Sequence, residues 1–184
     1  MNIQSGHEFS QAVRPKPLGS SRHEFPVSRE QLEALYFRSL ERTYGGELKI
    51  KKFLAKLLAK SSSPESTTLL HLYIDSVDRR LDSLRRIFTL MRRPALGTES
   101  KGIKKLLKNY KSKYCAGILA HPNLVEILRY EEVKFELQKC QAQALGRFST
   151  VGLIDLSLEL IREQRDRSQS YGVNTAISNT EINI

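Results

Sequence analysis

Residues 29–60 read REQLEALYFRSLERTYGGELKIKKFLAKLLAK, and their apolar positions recur at helical spacing. Steps of three or four residues through Leu32, Tyr36, Leu40, Tyr44, Glu47, Ile50, Leu54 and Leu58 stay on one face, so this stretch forms a long amphipathic helix. One member of that face is a carboxylate. Glu47 follows Gly45 and Gly46 and points toward whatever the helix packs against. A buried carboxylate requires a partner: a metal ion, a cation on a facing helix or a shared proton. The remaining option is a tilt to the edge of the bundle, where water solvates it.

Outward from this segment the chain is punctuated at helical lengths. Ser28 caps helix A, 28–60, with Gln31 three residues on completing a capping box. Ser61, Ser62 and Ser63 make a turn, Pro64 suits a first helical position and Glu65 favours the positive helix end. Helix B, 64–92, carries the stripe Leu70, Tyr73, Val77, Leu81, Leu84, Phe88 and Met91, and Pro94 stops it. Two helices of matched length joined by a tight turn form an antiparallel hairpin about 40 Å long, half of a four-helix bundle.

Gly97 and Gly102 bracket a loop, after which KGIKKLLKNYK, 101–111, reads as a short basic helix within a long crossover. Helix C, 117–145, places Leu124, Ile127, Leu128, Glu131, Phe135, Ala142 and Leu145 on one face, with Pro122 either starting it or kinking it. The segment VGLIDLSLELIREQRDR fits the helical phase Val151, Ile154, Leu158, Ile161 and also strand alternation through Ile154, Leu156, Leu158 and Leu160. A lone strand beside three helices would leave its backbone groups unpaired, which favours helix D, 149–168. The expectation is an all-α bundle over 28–168, flanked by a flexible arm, 1–27, and a flexible tail, 169–184.

A chain of 184 residues with 40% hydrophobic content fills one core. No apolar run reaches membrane-span length and residues 1–27 lack a signal-peptide stretch, so a soluble cytoplasmic protein is expected. Cys115 and Cys140 read as free thiols, with a redox pair as the alternative. The formal net charge of +10 is concentrated between Lys49 and Lys113. Arg92, Arg93, Lys101, Lys104, Lys105 and Lys108 are its candidate contacts for nucleic acid or another polyanion; a solvated helix surface is the plainer reading.

EALYFRSLERTYGGELKIKKFL, the SSPES turn, LDSLRRIFTLMRRP and KGIKKLL, in that order, resemble the YciE/YciF-type ferritin-like family of bacterial stress proteins. The resemblance spans about residues 30–168. It implies a ferritin-like four-helix bundle with a long crossover between helices B and C, often a homodimer, and in standard members a carboxylate-rich dinuclear metal site. Such a site draws inward Glu and Glu-x-x-His ligands from all four helices. Glu47 matches the helix A acid and Glu131 one acid of helix C. The other positions fall on Leu128 and Arg129, near Ser76 and Arg80 on helix B, and near Leu160, Ile161 and Arg165 on helix D.

Two acids among inward cations suit a divalent ion poorly. Arg80 and, second, Arg165 are therefore expected to occupy the former metal positions and pair with Glu47 and Glu131. His71 with Asp75 fits a helix-surface pair better than a metal site, and His7, His23 and His121 form no constellation. No Ser-His-Asp order, P-loop or dinucleotide fingerprint occurs, and the tyrosines read as amphipathic packing. The functional expectation is a non-enzymatic module without cofactor or metal, acting through structure or a protein partner in a stress context. Polyanion binding through 49–113 is the alternative, and residual metal binding by Glu47, Glu131 and His71 a second one.

Overall fold

The computed structural model describes residues 27–61, 63–114 and 121–181, apart from the side chains of 111–114, 121–123 and 171–181. The expected arm falls almost wholly on residues 1–26, outside the described residues, as do Cys115, His7 and His23. The described chain forms α1 (Arg29–Leu58), α2 (Pro64–Leu90), α3 (Lys101–Tyr114), α4 (His121–Ala144) and α5 (Phe148–Glu181). Local chemistry sets the starts. Ser28 and Gln31 form the reciprocal capping box of α1, and Ser63 caps α2 ahead of Pro64.

The C-terminal turns of α2 and α4 share one device. Arg93 N–H donates to the Phe88 carbonyl and Arg92 N–H to Thr89, while Arg147 N–H donates to Ala142 and Gly146 N–H to Gln143. Both are Schellman closures, which need a left-handed residue. That residue is Gly146, φ 69°, after α4, but Arg92, φ 53°, after α2.

Contacts close α1, α2, α5 and α4 into a ring, with α3 packed on α1 and α4. Ser39 and Thr43 of α1 meet Gln138 of α4, and Glu47 meets Glu131, so α1 and α4 run antiparallel. With α1–α2 and α4–α5 as hairpins, α2 and α4 are then parallel, and the chain must travel the bundle's length between them. α3 lies on that crossover. The core joins Tyr36, Leu40 and Leu54 of α1, Val77, Leu84 and Phe88 of α2, Phe135 of α4 and Ile154, Leu158 and Ile161 of α5. Phe88 receives edge-on contacts from Phe37 and Tyr44, at 5.8 and 5.9 Å between ring centres.

The glycines before Glu47 are there for the crossover. Thr98 N–H donates to the Glu41 carbonyl at 3.1 Å, laying the loop backbone directly on α1. A Cβ on Gly45 would overlap the Thr98 carbonyl oxygen and stand 2.9 Å from its nitrogen, and one on Gly97 would stand 3.0 Å from Gly45 Cα. Two facing glycines permit a backbone-to-backbone approach that no side chain allows.

One expected boundary is corrected. α5 continues through Glu181 rather than ending at 168: residues 169–181 contain no proline, and Gly172 and Asn174 do not stop the helix. The final segment is helical, not a strand. Among the described residues no helix is long and apolar enough to cross a membrane.

Three glycine-to-alanine variants should separate in denaturant unfolding. Gly45→Ala should cost about 3 kcal/mol or more, because backbone must move. Gly146→Ala, with open space but a left-handed φ, should cost about 1–2 kcal/mol. Gly152→Ala, exposed within α5 with nothing near it, should gain about 0.5–1 kcal/mol.

Candidate functional site: a buried charge cluster

Glu47 is fully buried, and its partner is an arginine. Arg80 Nε donates to Glu47 Oε1 at 2.8 Å and Nη2 to Oε2 at 2.9 Å, so both carboxylate oxygens are engaged by one guanidinium. A third donor, Nη1, reaches Ser76 Oγ at 2.9 Å, one turn back on α2. The parallel-fork geometry uses the planarity of arginine, which lysine cannot reproduce. Helical phase delivers it: Tyr73, Ser76, Val77, Arg80 and Leu84 share the inward stripe of α2, opposite Tyr44, Glu47 and Ile50 on α1. Burial works against the Arg80 charge, but the Glu47 carboxylate and its hydrogen bonds, aided by Glu131 and Tyr73, outweigh it and hold the pKa above the ordinary value.

Glu131 enters the same cluster from α4, also fully buried. Burial raises its pKa first, the neighbouring Glu47 charge second, and Lys134 and Arg80 offset only part of this, leaving it pushed up to about 8. Near neutral pH it therefore carries a proton. That proton explains an otherwise unsatisfied group: neither Glu131 oxygen has a donor, whereas a protonated carboxyl donates to Glu47 within reach. Glu47 thus combines two of the partners open to it, a cation and a shared proton.

Lys134 is the residue that sequence reasoning missed. Its ammonium lies 3.6 Å from Glu131 Oε1 and 5.5 Å from the centre of the Tyr130 ring. It lies beside Gly46, 3.6 Å from where a Cβ would stand, which is ordinary van der Waals distance. The signal was an i, i+3, i+7 series on α4, Glu131, Lys134 and Gln138, with Gln138 donating to Thr43 and Ser39.

Arg165 is not in the cluster, contrary to expectation. It pairs at the surface with Glu132 at 2.5 Å and with Asp166 at 3.3 Å. Gln164 takes the inward place on α5 and donates to the Leu72 carbonyl. A guanidinium at the flank keeps its hydration and still finds a carboxylate, so it avoids the cost of adding a further cation beside Arg80 and Lys134. Leu128 is buried, Arg129 is exposed, and Leu160 and Ile161 are apolar core. His71 and Asp75 stand exposed on α2, and among the described residues no group of three or more His, Cys, Asp and Glu is placed to hold a metal ion. The core tyrosines are hydrogen-bonded: Tyr36 donates to Thr150, and Tyr73 bonds Ser168 while burial pushes its pKa to about 12.

The six basic candidates separate into two places. Lys101, Lys104, Lys105 and Lys108 form an exposed stripe along α3. Arg92 and Arg93 lie at the end of α2, where Arg93 stacks 5.2 Å over Phe37.

No protein-family profile matches this chain, and neither does any curated protein. Among solved structures, the E. coli stress protein YciF superposes with a TM-score of 0.71 at 14% identity, covering 79% of this chain and 96% of YciF. YcfI from Rhodopseudomonas palustris, described as a candidate structural protein, gives 0.70 at 16% identity, with the same coverage of both chains. The chain shares the fold of these two proteins.

Removing one partner of a buried pair strands the other charge. Arg80→Ala should cost about 3–5 kcal/mol, and Arg80→Lys should also destabilise, while Arg80→Met with Glu47→Leu should recover most of the loss. Chemical denaturation of the four proteins tests this. Because the Glu131 pKa is raised from 4.5 to about 8 on folding, its contribution is full below pH 4.5 and lost as pH rises toward 8. Glu131→Gln should flatten that decline and melt above the parent at pH 9, as thermal unfolding across pH would show.

Proposed function

We propose that this protein is a non-enzymatic ferritin-like bundle, cytoplasmic and stress-related, that acts as a structural or protein-interaction module. In this reading the centre of the bundle holds an internal ion pair where related folds hold metals. The observation that carries it is the two-bond capture of Glu47 by Arg80. Both oxygens of the best-placed acid are occupied by the Arg80 guanidinium, the Lys134 ammonium stands beside Glu131, and the inward positions of α2 and α5 supply Ser76 and Ile161 instead of ligands. Two carboxyls, one of them protonated, beside two cations do not fit a pair of divalent ions.

Without a metal there is no group in the cluster poised for reaction. Arg80 and Glu47 hold each other by two hydrogen bonds, Lys134 stands beside Glu131, and the Glu131 carboxyl is fully buried. The arrangement suits a stable, specific core. Its neighbours' descriptions as a stress protein and a candidate structural protein support the same direction. Exposed Tyr130, Val133 and Leu137 along α4 support contact with a protein partner or a second copy.

Elemental analysis of the full-length protein, purified without chelator, tests the reading. Iron, manganese and zinc should each be far below one per chain, and added ferrous or manganous ion should leave the melting temperature unchanged. Stoichiometric metal that depends on Glu47 and Glu131 would overturn it.

A further inference from the structure

Two lysine ridges lie side by side on one face of the molecule. On α3, Lys101, Lys104, Lys105 and Lys108 follow the i, i+3, i+4, i+7 spacing of a single stripe, and all are exposed. The opposite side of α3 is anchored in the bundle, with Ile103 and Tyr110 buried. On α1, Lys49, Lys52 and Lys56 flank the seam with α3, where Phe53 meets Tyr110 at 5.0 Å between ring centres. Gly45 beside Thr98, Gly46 beside Ile103 and Phe53 against Tyr110 show that the two helices run in the same direction. The ridges are therefore aligned over about 10 Å of helical rise.

Little opposes this charge. Neither 48–60 nor 100–114 contains an Asp or Glu. Glu99 bridges Lys49 and Lys104 at 3.1 and 2.9 Å and so ties the ridges together. Lys52, Lys56, Lys101, Lys105 and Lys108 make no ion pair within the described residues.

We infer that this face binds the phosphate backbone of double-stranded nucleic acid without reading its sequence. Lysine ammoniums are point charges suited to phosphate, and a rigid double row matches a ligand whose charge is regular and dense. A single strand is a poorer fit, because Phe53 and Tyr110, the rings at the seam between the ridges, pack edge-on against each other and Tyr110 is buried. An anionic bilayer is also a poorer fit, because the apolar side of α3 is already committed to the core and has nothing to insert. The inference goes beyond the structural role proposed above and stands whether or not the core holds a metal.

Fluorescence anisotropy with the full-length protein and a short labelled duplex, from about 50 to 200 mM salt, tests it. Five free lysines predict a log–log salt slope of about −4.5, equal for two unrelated duplex sequences. Lys105→Gln with Lys108→Gln should make the slope shallower by about 2 with the melting temperature unchanged. No binding at the lowest salt, a slope indifferent to the two substitutions, tighter binding to the matching single strand, or preferential binding to phosphatidylserine vesicles would each overturn it.

Discussion

The Glu47–Arg80 pair is the constraint around which the bundle is organised. It joins the midpoints of α1 and α2, fully buried, by two charge-assisted hydrogen bonds, and Ser76 accepts a third from the same guanidinium. Desolvating two charges is costly, and apolar residues of similar volume would often serve stability as well. What the pair supplies is registry. A one-turn slip of α2 along α1 would bury a guanidinium and a carboxylate apart, which is far worse than misplacing a leucine.

The rest of the centre follows from that arrangement. Once Glu47 is committed to Arg80, a second carboxylate in the same cavity cannot also stay ionised cheaply, so Glu131 keeps its proton. Lys134 relieves part of the remaining field, and Gly46 beside it leaves room for Ile103 of α3, which lies 3.3 Å from where a Cβ would stand. The adjacent Gly45 serves a separate need, letting the crossover lie against α1 through Thr98. Two neighbouring glycines thus solve two packing problems at one turn of helix, one for a side chain and one for a backbone.

Legibility differed by the range of the interaction. Capping residues, proline and the apolar stripes marked α1 and α2 to within a few residues, because those signals are local. The end of α5 was misread since no breaker stands at 168, and loss of apolar periodicity does not stop a helix. Arg80 was legible as a cation facing Glu47 because its phase on α2 is unambiguous. Arg165 was not: on α5 it sits beside the core stripe, and only the position of Glu132 on the facing helix turns it outward.

By itself the sequence determined an all-α chain, the inward direction of Glu47, Arg80 and Glu131, and the concentration of lysines between 49 and 113, since each depends on spacing along one helix. Tertiary structure decided which charges meet. The two-bond geometry of Arg80, the proton on Glu131, the place of Lys134 over Gly46 and the alignment of two lysine ridges all depend on how separate helices are set against one another. Helical periodicity specifies the angle at which a side chain leaves its own axis, but not what stands opposite.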